Sequence, residues 1–130
     1  MKQILSLIIC MLICSPVFAQ NRIVVSKKQM TLTVYNNENK VLLTTKISCG
    51  KNFGNKKYRG DKKTPEGTFK VNMIQESSSW TWDFKDGRGK IKGAYGPYFI
   101  RLKTPITTMI GIHGTCYPEL LGTRTSSGCI

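Results

Sequence analysis

Met30, Leu32 and Val34 alternate with Thr31, Thr33 and Tyr35, the period-two pattern of a strand with one buried face. β-rich sequence flanks this stretch at residues 22–26 and 41–47, and the run Asn36-Asn37-Glu38-Asn39-Lys40 supplies turn chemistry between strands. Residues 50–67 read as a loop, with Gly54, Gly60 and Thr64-Pro65 as its breakers. The segment at 67–74 returns to strand pattern. Serines 77–79 then lead into Trp80-Thr81-Trp82, and a polar, glycine-punctuated connection precedes two short apolar runs, residues 98–102 and 109–114. No stretch carries the i, i+3, i+4, i+7 stripe of an amphipathic helix. The pattern predicts one mainly β domain with long loops, a sandwich or a barrel.

The first nineteen residues break that pattern. After Lys2 comes an apolar run, residues 4–14, then Ser15-Pro16 and Val17-Phe18-Ala19. Small residues thus stand at −3 and −1 of a signal-peptidase site, and the apolar run is short for a membrane span. We therefore expect residues 1–19 to be an export signal, residues 20–130 the mature domain, and the cell envelope or periplasm its location, with no membrane span after cleavage. Of the five cysteines, Cys10 and Cys14 leave with the signal. Cys49, Cys116 and Cys129 remain, an odd number, so at least one thiol has no intramolecular partner. The chain holds 20 Lys+Arg and 7 Asp+Glu; removing Lys2 leaves 19 against 7, a formal +12. That field favours polyanions, and export selects the carboxylate-rich cell wall over nucleic acid. Lys51, Lys56, Lys57, Arg59, Lys62 and Lys63 bunch in one loop with Asp61 opposing, readable equally as a solvated loop or as part of a wall-facing surface.

His113, the one histidine, closes the apolar run Met109-Ile110-Gly111-Ile112 and precedes Gly114. It therefore sits at a strand end, where rigid β scaffolds present reactive groups. Cys129 lies in Ser126-Ser127-Gly128-Cys129-Ile130. A cysteine nucleophile needs a base, oxyanion donors and an approach path for a carbonyl. Gly128 permits a tight bend in which the N–H groups of Ser127, Gly128 and Cys129 converge, and His113 is the one imidazole available as base. Spacing alone leaves three readings of Cys129 open: nucleophile, half of a disulfide, or the remnant of an incomplete strand.

Four segments, GDKKTPEGTF (60–69), GPYFIRL (96–102), GIHGT (111–115) and SSGCI (126–130), stand in the order and spacing of the L,D-transpeptidase catalytic domain family, and the chain resembles that family from about residue 22 to its end. The resemblance implies a mainly β fold acting on peptidoglycan stem peptides. Cys129 would attack the carbonyl of the third stem residue and release D-alanine. The acyl group would pass to an amine, forming a 3–3 cross-link or attaching a protein. His113 would be general base and acid, oriented by the Gly114 carbonyl, and the amides of Ser127, Gly128 and Cys129 the oxyanion hole. Acylation of Cys129 by a carbapenem is implied, and no metal or organic cofactor. In this family an arginine and further β sequence follow the cysteine and its hydrophobic neighbour. The sequence stops at Ile130, so the resemblance further implies a catalytic domain lacking its C-terminal strand.

Other residues receive plainer readings. Thr64-Pro65-Glu66-Gly67 is a turn into the next strand, and Trp80 and Trp82, alternating about one strand face, are read as core or edge packing in preference to a platform for stacking sugars. Tyr117, on the loop after His113, and Ser126 are candidate substrate contacts. Cys116 is a rival nucleophile without the Ser-Gly approach, or a disulfide partner for Cys49. Alternatives to the transpeptidase are an L,D-carboxypeptidase or endopeptidase on the same fold, in which water replaces the amine, and a non-catalytic basic domain that binds wall polymer.

Overall fold

The computed structural model describes residues 20–130; the expected export signal lies outside them. It is mainly β, as the alternation predicts. The strands are β1 (Arg22–Ser26), β2 (Thr31–Tyr35), β3 (Val41–Lys46), β4 (Cys49–Gly50), β5 (Lys70–Glu76), β6 (Thr81–Asp83), β7 (Lys90–Lys92), β8 (Tyr98–Lys103), β9 (Gly111–His113) and β10 (Arg124–Ser126), with one 3-10 turn at Pro118–Leu120.

β1, β2 and β3 form an antiparallel meander in which Val25 faces Leu32 and Thr33 faces Thr44. Strand periodicity sorts these residues onto two sides. Val25, Met30 and Val34 pack around the buried Leu32, Ile47 and Cys49, while the Thr33 and Thr44 hydroxyls meet on the opposite face. Full burial of one such leucine contributes about 2 kcal/mol. Buried Cys49 has its Sγ 3.8 Å from the Met30 sulfur, and Cys49, Cys116 and Cys129 are all free thiols.

A second sheet runs β5-β8-β9, antiparallel throughout. Phe99, Ile100 and Arg101 of β8 stand opposite His113, Ile112 and Gly111 of β9. Ile130 lies along the free edge of β9: its N–H donates to the Gly111 carbonyl at 3.0 Å, and its carbonyl accepts from the His113 N–H at 3.1 Å. This is the bonding pattern of a parallel pair, with Ile130 beside Ile112. Both isoleucines pack on the Leu32–Ile47–Cys49 core, so the edge is anchored by side chains as well as by backbone. Alternation then turns Gly111, His113 and Cys129 to the other face of the sheet.

The basic loop departs from the solvated reading at one pair. Lys56 and Asp61 are buried and joined Nζ to Oδ1 at 2.7 Å. Burial alone would raise the Asp61 pKa; the Lys56 ammonium and the amides of Lys57, Lys63 and Tyr58 overcome it and hold the carboxyl well below the usual range. Lys51, Lys57, Arg59 and Lys62 remain exposed.

His113 is positioned by a backbone contact just beyond its strand. A Cβ on Gly96 would lie 2.9 Å from the Gly114 Cα, and one on Gly114 would lie 3.0 Å from the Gly96 Cα. Ser77, fully buried, locks this crossing by donating its hydroxyl to the Gly96 carbonyl at 2.8 Å. Gly96→Ala should therefore destabilise the domain by about 2–4 kcal/mol, overpacking added to its positive φ, read from urea unfolding. Gly122→Ala, at a positive φ with nothing within 4 Å, should cost only about 1 kcal/mol. Equal losses in the two variants would contradict the close approach.

Candidate active site around Cys129 and His113

The turn bearing Cys129 is built from hydrogen bonds that its own sequence supplies and from one that arrives from the loop at 51–69. Ser126 Oγ accepts the Gly128 N–H at 3.0 Å and donates to the Cys129 carbonyl at 2.6 Å. Gly128 has φ +137°, and a Cβ there would meet the Lys63 carbonyl at 2.9 Å and the Ile110 side chain at 3.1 Å. Glycine is thus required by conformation and by space. Thr64, 1% exposed, donates its hydroxyl to the Gly128 carbonyl at 2.8 Å and accepts the Gly50 N–H at 2.8 Å. One buried hydroxyl joins β4, the TPEG turn and the Gly-Cys bend. The Lys56 ammonium lies behind the same glycine.

His113 Nδ1 is 2.6 Å from the Gly114 carbonyl. A carbonyl oxygen only accepts, so Nδ1 carries the proton and Nε2 presents the lone pair. The ring is stacked on Phe99, with centroids 5.2 Å apart and planes at 12°, and Tyr95 meets it edge-on at 4.8 Å. Burial lowers the His113 pKa, with the Gly114 carbonyl working the other way. Burial also raises the Cys129 pKa, opposed by the Gly111 N–H and by the charges of Arg101 and Lys56. Both shifts favour the uncharged forms. These directions favour a thiol and a neutral imidazole over a preformed thiolate–imidazolium.

A cleft of about 360 Å³ opens at Cys129, lined with Trp80, Thr81, Trp82, Tyr95, Phe99, Arg101 and Met109. The Cys129 thiol rests 3.5 Å from the Met109 carbonyl. Trp80 belongs to an aromatic cluster with Tyr95 and Phe99, in keeping with a packing role. Trp82 also meets Tyr95, with centroids 6.3 Å apart, but is 50% exposed and forms a cleft wall. Tyr95, which carries no catalytic motif in the sequence, has its phenol pushed up to about 12 by burial and by the nearby Cys129. Its signal was weak, one aromatic inside a glycine-rich connection.

The remaining candidates sit as follows. Of the three amides assigned to an oxyanion hole, those of Ser127 and Cys129 have no hydrogen-bond acceptor among the described residues, whereas the Gly128 N–H is held by Ser126. The Ser126 hydroxyl is therefore spent within the turn. Tyr117 donates to Asp86 Oδ2 at 2.8 Å and lies under the Arg88 guanidinium; it is not among the cleft-lining side chains. Cys116 is half-buried and sits outside the cleft lining. In sequence Thr64 is part of a plain turn; its link to Gly128, 64 residues away, is long-range contact that local pattern does not encode.

Residues 20–130 match the family described as the YkuD L,D-transpeptidase catalytic domain. No curated protein matches the chain.

Thr64→Val removes one hydroxyl and leaves two buried backbone groups without partners, so it should lower unfolding stability by about 2–4 kcal/mol. Thr64→Ser keeps the hydroxyl and should recover most of that loss; a serine variant as unstable as valine would contradict the clamp. The raised Cys129 pKa predicts a second result. Deprotonation needs a higher pH than for a free thiol, so alkylation of Cys129 by iodoacetamide, followed by peptide mass spectrometry, should be slow at neutral pH. It should rise through a midpoint above the ordinary value of about 8.5. A rate that is high and flat from pH 6 to 9 would show a preformed thiolate instead.

Proposed function

The chain belongs to the YkuD family of L,D-transpeptidase catalytic domains, and from that premise we propose that it is an exported enzyme of the cell envelope that transfers the acyl group of peptidoglycan stem peptides from D-alanine to an amine. The observation that carries this reading is the strand parity at β9, which turns Cys129 and His113 to one face while Ile112 and Ile130 anchor the other.

In this scheme the stem peptide lies in the aromatic cleft with the carbonyl of its third residue at Cys129 Sγ. His113 Nε2 takes the thiol proton as sulfur attacks. Because both groups start neutral, charge separates only as the bond forms, and the imidazolium is stabilised through Nδ1–H by the Gly114 carbonyl. The free amides of Ser127 and Cys129 point to the oxyanion role; the Gly128 amide joins them only if it leaves the Ser126 hydroxyl. On collapse the C–N bond breaks, His113 returns the proton to the departing D-alanine amine, and a thioester remains on Cys129. An acceptor amine then attacks the thioester, giving its proton to His113; the C–S bond breaks, His113 returns the proton to the Cys129 sulfur, and the new amide is a 3–3 cross-link or a protein attachment. The exposed lysines and Arg59 of the 51–63 loop suit encounter with a carboxylate-rich polymer.

Incubation with a disaccharide tetrapeptide should release D-alanine and leave an adduct on Cys129 by intact-protein and peptide mass spectrometry, as should a carbapenem. Cys129→Ala should abolish the adduct, and His113→Ala should slow its formation about 10²–10⁴-fold. Free tripeptide without cross-linked product would make water the acceptor. Labelling confined to Cys116 would overturn the assignment.

A further inference from the structure

Among the described residues Arg101 is the one charged side chain lining the Cys129 cleft, and it is held there by several contacts. Its Nε and Nη2 both donate to Gln75 Oε1, at 3.0 and 2.8 Å, Nη1 donates to the Thr108 carbonyl at 2.6 Å, and the guanidinium lies over Phe99, 5.1 Å from the ring centroid. A guanidinium has five N–H groups. One on each terminal nitrogen is therefore left without an acceptor among the described residues. Every acceptor it does have is neutral, and no carboxylate pairs with it among the described residues. A half-buried cation in an aromatic cleft, with two donors spare, is suited to a carboxylate.

The register aims it at the reacting centre. Arg101 is the cross-strand partner of Gly111, and Gly111 lies beside the Cys129–Ile130 edge, so Arg101, Gly111 and Cys129 form one row on one face of the sheet. Gly111 has no side chain to interpose; a Cβ there would strike the Phe99 ring at 2.1 Å. The arginine is close enough for its charge to bear on the Cys129 thiol.

We propose that Arg101 recognises the free α-carboxylate of the residue that leaves, making it the group that selects stems ending one residue beyond the scissile bond. The inference rests on the transpeptidase reading of Cys129. In such a stem the leaving carboxylate is three bonds from the scissile carbonyl carbon, about 3–4 Å, so a cation beside the nucleophile meets it. One further residue would convert that carboxylate into an amide and carry the charge about 3.5 Å onward, out of register with a guanidinium pinned by Gln75 and Thr108.

Binding tests the idea apart from turnover. The full chain carrying Cys129→Ala is titrated, by calorimetry or NMR, with a tetrapeptide stem and with the same stem bearing a C-terminal amide. The amide should bind about 10–100-fold more weakly. Adding Arg101→Gln should weaken the acid by the same factor and abolish the difference, and Arg101→Lys should fall between. Equal affinities for acid and amide with Arg101 intact would overturn the proposal, whether or not the arginine variants fold. So would a difference that persists in Arg101→Gln, which would assign it to general attraction by the basic surface. Discrimination by Arg101 in a protein whose unmodified form never acylates Cys129 would uphold the subsite and sink the transpeptidase reading alone.

Discussion

The hydroxyl of Thr64 is the constraint on which the site depends. It satisfies the Gly50 amide and the Gly128 carbonyl together, and neither group is placed to find water in its stead, since Thr64, Gly50 and Gly128 are all buried. A bend that begins at β10 is thereby fixed to β4 and to the loop behind it. Fixing the bend sets the path of Cys129 and Ile130 along β9, and the path sets parity: isoleucines to the core, cysteine to the cleft. The Lys56–Asp61 pair behind Gly128 adds a buried positive charge near the thiol without exposing a free cation, because Asp61 stays ionised across the physiological range.

The electrostatics of the cleft favour the uncharged forms of Cys129 and His113. Aromatic walls and strand burial disfavour both the thiolate and the imidazolium, and the local counter-charges, Arg101 and Lys56, only partly offset this at Cys129. Such a thiol is protected from indiscriminate chemistry. In the proposed reaction, reactivity is conditional on a bound carbonyl that receives the sulfur as His113 receives its proton. The fixed tautomer makes this directional, since only Nε2 has a lone pair to offer.

Much of this was legible in the chain. The Met30-Leu32-Val34 alternation gave β2 with its buried face, and the Gly-rich boundaries separated the strands. The Gly-Cys turn and the His-Gly strand end carried both candidate catalytic residues. What was hidden depends on register between distant segments. Arg101 reads as one more strand residue until β8 is set against β9. Trp82 reads as packing until the β6–β7 pair is seen to leave it in the cleft. Gly96 and Gly114 read as turn residues, though they are glycines because two backbones touch. Lys56 and Asp61 sit in a loop so basic that burial of one of its lysines leaves no local trace.

The central claim is that His113, on the same face of β9 as Cys129, is a neutral imidazole with its proton on Nδ1 and its lone pair on Nε2. Because His113 is the one histidine in the chain, long-range ¹H–¹⁵N correlation of uniformly labelled protein at pH 7 reports it without ambiguity. The account predicts one protonated and one bare ring nitrogen, the protonated one being Nδ1, with the ring taking up its second proton only below the ordinary imidazole value of about 6.5. Two protonated nitrogens at pH 7, or a bare Nδ1, would contradict it.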